Sequence, residues 1–523
     1  MIKDIIINQI FKGQSASQYF GEEGTYNSSI AIDPDLPIIS TGTRTSGFIV
    51  PVGSALLSGA NVTSHVVRIL NNPKNTLTYV VLSNGRLISY NSSLASETLI
   101  GTVAGGVAVW AEYYNNYIYI WTGTNISRYG PLNNFPTLVD TVWTGATLGT
   151  QTALTNTTYP TLNSVSIPNH VAHVHGDGSM YFTDFINGQG LIHRINTKKV
   201  TDEGDTNGTT VPSLYNALDL PFGFYPTDIE SYSKSLLITG IYTIDTTINQ
   251  GKSAFVLWDP TDTVSFYLGP VFLPDPLCTA TLNSNGIIYL WTGNAQNGVR
   301  LSRYLGGETV QDIAYQEEGL PPFAGAVDAL GNRIVWGGFT TNPETASCVW
   351  AYGSKDARLP KGIHNIMRGT GTGTTPIITA LKYVQQSSNV TPKLVMAWRD
   401  GTTRGIDQYS TTATLDSSIR WMFNIGHKVD VVQVKIPLAG AIAANTTIIP
   451  TLYFDDLSSS LALTTINNTN YPSKRKVIYK GTELKNTTAL NNFMFELVFT
   501  GTNPLPVALP ITISVDVKED EAT

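Results

Sequence analysis

Tyr117-Ile-Tyr-Ile-Trp-Thr-Gly123 followed by Ile126-Ser-Arg-Tyr-Gly130 recurs as Ile287-Ile-Tyr-Leu-Trp-Thr-Gly293 followed by Leu301-Ser-Arg-Tyr304. Each copy reads as an apolar strand, a turn, and a second strand ending on Ser-Arg-Tyr. The same grammar is found in five further places: Thr78–Gly85 with Arg86–Tyr90, Ser179–Asp184 with Gly190–Ile195, Ser235–Thr239 with Ala254–Trp258, Arg333–Gly337 with Ser347–Tyr352, and Lys393–Trp398 with Gly405–Tyr409. The second strands end at Tyr90, Tyr129, Ile195, Trp258, Tyr304, Tyr352 and Tyr409, which are 39 to 66 residues apart. That scatter surrounds the ~40–50 residues of a four-stranded blade, the longer intervals holding insertions. One such unit cannot bury its own faces, so the units must stack around an axis and close. The pattern predicts an all-β chain: a β-propeller of six or seven irregular blades, with frequent Trp and Tyr at strand ends suiting tapered blades better than an open solenoid.

Composition agrees. The chain has 523 residues, of which 14% are charged and 10% aromatic, at a mean hydropathy of zero. Soluble domains average about 25% charged. Thr, Ser, Asn and Gly take the place of the missing Glu, Lys and Arg, which favours strands and tight turns over helices. Lys plus Arg is 32 and Asp plus Glu is 39, a net charge of −7, so no broad basic surface for a nucleic-acid backbone is expected. Cys278 and Cys348 fit no zinc spacing and read as two buried small hydrophobes. The opening Met1–Gly13 has neither a cationic region nor a small-residue cleavage site, and no apolar run nears the ~20 residues needed to span a bilayer.

Three parts are expected. Residues 1–30 form an extended arm whose Ile5-Ile-Ile7 lies on a neighbour, and residues 31–412 form the propeller. Ile38–Thr41 and Gly47–Val52 are early strands that close the ring on the last blade. Residues 413–523 form a β-sandwich, from the alternation of Val432, Val434 and Ile436 with Gln433 and Lys435, the apolar face Phe493, Phe495, Leu497 and Phe499, and Ile511, Ile513, Val515 and Val517.

The search for chemistry yields weak signals. His170, His173, His175 and Asp177 are the densest possible ligands; alternation places His173 and His175 on one face, on an inner strand leading into a Gly176-Asp-Gly178 hairpin. Glu203–Gly208 echoes the front of a calcium loop, but Leu214 stands where the bidentate carboxylate belongs. Gly369–Thr374 is glycine-rich without a following Lys-Ser/Thr or helix, and reads as a flexible loop between blades. Asp184, Asp259, Asp328 and Asp400 lie near blade edges, where a glycosidase would need two carboxylates facing each other. Asn61, Asn125, Asn207 and Asn486 begin Asn-x-Ser/Thr triplets that follow from the composition. No catalytic, cofactor-binding or metal-binding residue is assigned, and no cofactor is expected.

The opening, Asn8–Gly13 through Gly24–Asp33 to Leu36–Ile39, resembles the start of propeller-type structural proteins of tailed bacteriophages. Asn116–Gly123 with Ile126–Tyr129 is similar to their strand pairs, and Ile419–Phe423 with Lys428–Pro437 to their terminal sandwich. The resemblance implies a non-enzymatic virion structural protein, tail- or neck-associated, assembled in the bacterial cytoplasm and acting as a rigid docking module. Its partners would be other virion proteins and further copies of itself, without direct nucleic-acid binding or membrane insertion, and with a glycan as a possible ligand. The alternatives are a receptor- or carbohydrate-binding propeller and, behind it, a glycan-cleaving enzyme.

Overall fold

The computed structural model describes residues 1–10, 12–15, 25–34, 48–72, 76–104, 107–122, 125–133, 135–139, 161–162, 165–196, 213–242, 252–261, 267–294, 298–316, 319–341, 344–353, 361–386, 391–413, 415–455, 458–485, 487–503 and 505–518. Within them the chain is mostly strand, with only short 3-10 turns for helix.

The repeated strand pairs are the middle hairpins of four-stranded antiparallel blades. Blade 1 is Val66–Asn71, Thr78–Leu82, Arg86–Tyr90 and Glu97–Thr102. Blade 2 is Trp110–Tyr114, Tyr117–Trp121, Ile126–Gly130 and Thr137–Val139. Blade 3 is Ala172–Val174, Met180–Ile186, Gln189–Asn196 and Ser213–Phe222. Blade 4 is Phe224–Tyr232, Ser235–Tyr242, Lys252–Trp258 and Tyr267–Phe272. Blade 5 is Leu277–Ser284, Ile287–Gly293, Val299–Gly306 and Thr309–Gln316. Blade 6 is Val327–Leu330, Arg333–Thr340, Ala346–Tyr352 and Ile363–Arg368.

These six blades belong to separate sheets. A seventh four-strand unit, Pro376–Val384, Lys393–Asp400 and Thr403–Ser410 with Gly53–Leu56 as its outer strand, is continuous with the C-terminal sheet. The first strand of each unit packs against that of the next, and Pro376–Val384 returns to Val66–Asn71, so the ring closes. Closure by an early strand on the last blade follows the expectation, but the strand is Gly53–Leu56, paired as Ser54 with Tyr409 and Ala55 with Gln408. Phe48–Ile49 instead pairs with Val507–Ala508, and residues 38–41 lie outside the described set.

Each gap between blades is filled by apolar side chains. Aromatic pairs bridge several of them: Tyr79–Tyr129 at 6.1 Å, Trp121–Phe182 at 5.3 Å, Tyr181–Trp258 at 5.7 Å, Phe255–Tyr304 at 5.3 Å and Trp291–Trp336 at 5.9 Å between ring centroids. Offset and edge-on contacts of this kind add roughly 0.5–1.5 kcal/mol each beyond area burial. The hairpins turn where φ must be positive: Asn187-Gly188 has φ of 51° and 83°, Asn285-Gly286 of 55° and 81°. These are the left-handed pairs that match strand twist.

Across the axis lies a short 3-10 turn, Ala324–Ala326, buried throughout and packed on the first strands of blades 1, 5 and 7. A Cβ on Gly325 would lie 3.1 Å from the Val67 carbonyl oxygen, a tight contact that favours glycine where the turn seats on the ring.

The C-terminal part, expected as a β-sandwich over 413–523, shares its sheet with the seventh unit of the ring. One 23-residue strand, Leu415–Pro437, organises it. Its first half pairs with Leu490–Gly501, and its second half with Ile511–Val517 and Lys476–Lys480. Between Asn424 and Val429 the register shifts, and both wings face one hydrophobic cluster that includes Trp421, Val434, Phe495 and Ile513. Phe493, Phe495, Leu497 and Phe499 are buried as their alternation requires. Val431 is buried where Val432 was expected, because the pairing shifts between Val431 and Gln433.

The described residues among the first thirty do not form a separate arm. Ile2–Ile7 is the outer strand against Ile511–Val517 of the same chain, with Ser514 Oγ donating to Asp4 at 2.6 Å and the terminal amine paired to Asp516 at 3.0 Å. Ser28–Ile30 pairs with Ser418–Arg420, and Gly13–Gln14 with Thr25–Tyr26 and Ile363. The opening segment therefore runs between the ring and the C-terminal sheet and bonds to both.

Candidate functional site

The first strands of the blades line the axis, and polar side chains on them and on the adjoining turns reach from blade to blade. They are arranged as a circuit of blade-to-blade bonds. Arg68 of blade 1 pairs with Glu112 of blade 2 at 3.1 Å while stacking 4.3 Å over the Trp110 ring. Tyr114 of blade 2 donates to the Gly178 carbonyl of blade 3 at 2.7 Å. His173 and His175 of blade 3 meet Ser231 Oγ of blade 4 at 2.7 and 2.8 Å. Thr281 of blade 5 donates through its backbone N–H (2.6 Å) and hydroxyl (3.1 Å) to Asp228 of blade 4. Asn285 of blade 5 donates to the Gly331 carbonyl of blade 6 at 3.0 Å. Lys382 of blade 7 pairs with Asp328 of blade 6 at 3.0 Å, and the Gln385 N–H after blade 7's first strand donates to Asn71 of blade 1 at 3.2 Å. Every neighbouring pair of units is linked.

Hydrogen-bond chemistry orders the histidine part. His175 Nε2 lies 3.1 Å from the Lys234 carbonyl, which can only accept, so that nitrogen carries the proton. In the neutral ring Nδ1 then accepts from the Ser231 hydroxyl, whose oxygen accepts in turn from His173 Nε2–H. Glu230 Oε1 is 3.4 Å from the same nitrogen and takes the Ser231 backbone N–H at 2.9 Å. Burial holds His173 down at about 4, against the pull of Glu112. Burial raises Glu230 to about 7 and Asp228 to about 7, even though each accepts backbone N–H bonds.

The residues singled out from sequence fall in different places. His173 and His175 do share a face, but they share a hydroxyl and no cation ligand set. His170 lies on the other side, 3.6 Å from Asp184, which accepts His193 at 3.1 Å inside blade 3. Asp177 holds Ser179 N, Tyr181 Oη and Arg194. Among the described residues no group of three His, Cys, Asp or Glu is placed to hold a metal. Asp184, Asp259, Asp328 and Asp400 do not form a facing pair. Asp184 is buried between two histidines, Asp259 caps Thr261 in a turn, Asp328 binds blade 7, and Asp400 takes Thr375 N at 2.9 Å. Gly369–Thr374 does join blades 6 and 7, yet it is fastened: Thr370 donates twice to Asp407. Residues 203–208 and Asn486 lie outside the described set. Cys278 and Cys348 are both buried, as expected.

Sequence reasoning missed Glu112, Asp228 and Glu230. The available signal was a carboxylate inside an otherwise apolar strand, as in Trp110-Ala-Glu-Tyr-Tyr114 and Thr227-Asp-Ile-Glu230.

No family model and no curated protein matches this chain. Solved structures similar to it include a WD40 domain and a protein described as a propeller. The extracellular domain assigned to the hybrid two component system BT4673 of B. thetaiotaomicron is 12% identical over 76% of this chain at a TM-score of 0.44, and the chain spans 45% of that protein's length. The Neurospora crassa Pan2 WD40 domain is 9% identical, with 71% of this chain and 98% of that one covered and a TM-score of 0.40. U3-55K is 12% identical, with 68% and 98% covered and a TM-score of 0.43. The propeller assignment rests on this chain's own strand pairing.

Proposed function

We propose that this protein is a non-enzymatic structural component of a tailed bacteriophage particle, tail- or neck-associated, whose ring serves as a rigid docking body. The observation that carries the reading is the closed circuit of blade-to-blade bonds around the axis: the titratable groups there hold the ring together. The two segments that resemble phage structural proteins are also hydrogen-bonded partners, Ser28–Ile30 lying against Ser418–Arg420. In this reading the ring fixes surface loops in space, and the C-terminal sheet contacts another copy or another virion protein, burying ~800 Å² or more per partner. Mass spectrometry of purified particles tests it. The expected result is this chain at several copies per particle; recovery only as free protein would refute it.

A glycan-binding role is the second reading. Phe222, Phe272 and Tyr315, exposed by 74%, 56% and 41%, lie at or next to the last residue of the outer strands of three consecutive blades. Aromatic faces at a rim suit stacking on sugar rings. Binding on a glycan array that is lost in Phe222→Ala/Phe272→Ala would favour it over the docking reading.

A further inference from the structure

The geometry points to a binding site for a small uncharged phenol or alicyclic alcohol at the upper mouth of the ring, the end where the first strands of the blades begin. A cavity of about 240 Å³ opens there, larger than the ~150 Å³ apolar cavity that accepts benzene. Its floor is Phe323 and Gly325 of the axial turn, and its walls include Val66, Val107, Val109 and Val165. Among the described residues no Asp, Glu, Lys or Arg lines it. His65, the one titratable ring, is held neutral: burial first, then Arg399 and Arg404, lower it to about 4. A charged ligand would lose its hydration with no charged side chain in the described lining to replace it, since Arg399 and Arg404 act from outside that lining.

The cavity also has a polar end. His65 Nδ1 lies 3.1 Å from Ser83 Oγ, which also contacts Ser64 Oγ. Ser166 Oγ is buried in the lining and has no hydrogen-bond partner among the described residues. A buried hydroxyl without a partner loses free energy that a ligand hydroxyl can restore. The site therefore favours one ring-sized apolar body bearing one neutral hydroxyl. The inference stands apart from the docking role, since it concerns only the cavity at the ring's mouth.

Isothermal titration of the full chain with p-cresol, toluene and benzoate tests it. The expected order is p-cresol tightest, toluene about 2- to 10-fold weaker for the missing hydrogen bond, and benzoate at least 100-fold weaker. Val107→Trp, at the half-buried rim, is expected to weaken p-cresol at least 50-fold, while Val174→Trp on the opposite face leaves it unchanged. Should Val107→Trp fail to fold, Ser166→Ala decides: p-cresol weakens 2- to 10-fold and toluene stays the same. Absence of heat with both neutral probes, benzoate binding as tightly as p-cresol, or p-cresol binding unaltered in Ser166→Ala would overturn the proposal.

Discussion

Asp33 is 300 residues from Arg333 and 376 from Tyr409 in sequence, yet it takes two bonds from the guanidinium, at 2.9 and 3.1 Å, and one from the phenol at 2.7 Å. The side chains of Asp33 and Arg333 are 1% and 2% exposed. A buried bidentate pair adds little net energy over an apolar filling, but removing one partner strands the other charge, at about 3–5 kcal/mol. Asp33→Ala is therefore expected to lower the unfolding free energy by that amount in chemical denaturation. Tyr409→Phe, which removes one bond to a charged group, should lower it by ~1.5–3 kcal/mol. An unchanged denaturation midpoint in Asp33→Ala would show that the segment is not fastened there.

Glu230 sets a pH dependence. The folded chain keeps its proton to about pH 7, whereas the unfolded carboxyl releases it near 4.5. Its stabilisation is complete below 4.5 and is lost as the pH rises through 7. Asp228 acts in the same direction. His65 and His173 act in the opposite one: they stay neutral in the fold down to about 4, while the unfolded rings protonate near 6.5. Stability therefore falls on acidification from 6.5 to 4. At about 1.4 kcal/mol per pKa unit, Glu230→Gln should shift the change in stability from pH 5 to pH 8 upward by roughly 2–4 kcal/mol relative to the parent chain, whatever the net contribution of the histidines, read from denaturation curves at the two pH values.

At the scale of elements, adjacent blades approach closely through glycine. A Cβ on Gly337 of blade 6 would fall 2.4 Å from Cβ and Cγ2 of Ile378 in blade 7. Ile378 is buried and β-branched, so it cannot swing away. Gly337→Ala should destabilise by ~1–3 kcal/mol, with Gly337→Ala/Ile378→Ala recovering part of the overpacking term; additive losses in that pair would contradict the contact. The middle hairpin of every blade was legible in sequence because both its strands are buried and apolar, as in Ile118, Ile120 and Trp121. Most outer and first strands were not. Gly53–Leu56 is four residues of weak alternation, and Thr137–Val139 is three residues long. Trp258-Asp259 is a single Trp-Asp pair in the whole chain, so no repeated signature marks the blades. The axial carboxylates were hidden for a related reason: their pairing runs between blades, across spacings that a single sequence does not constrain.

At the scale of the whole molecule, the long strand Leu415–Pro437 joins what composition alone divides. It pairs with the N-terminal segment, meets the closing strand at Leu415 and Gly53, and carries both wings of the C-terminal sheet. The alternation of its residues was readable, but its shared use was not, because pairing partners hundreds of residues apart leave no local trace. Ring and sheet are thus bonded into one body.

That account depends on the ring being closed by Gly53–Leu56 against Thr403–Ser410. Hydrogen exchange read by mass spectrometry tests this most directly. The account predicts that the amides of residues 53–56 exchange as slowly as those of the strand they pair with. Exchange of 53–56 at the rate of an unpaired chain, with 403–410 still protected, would mean that the ring is open.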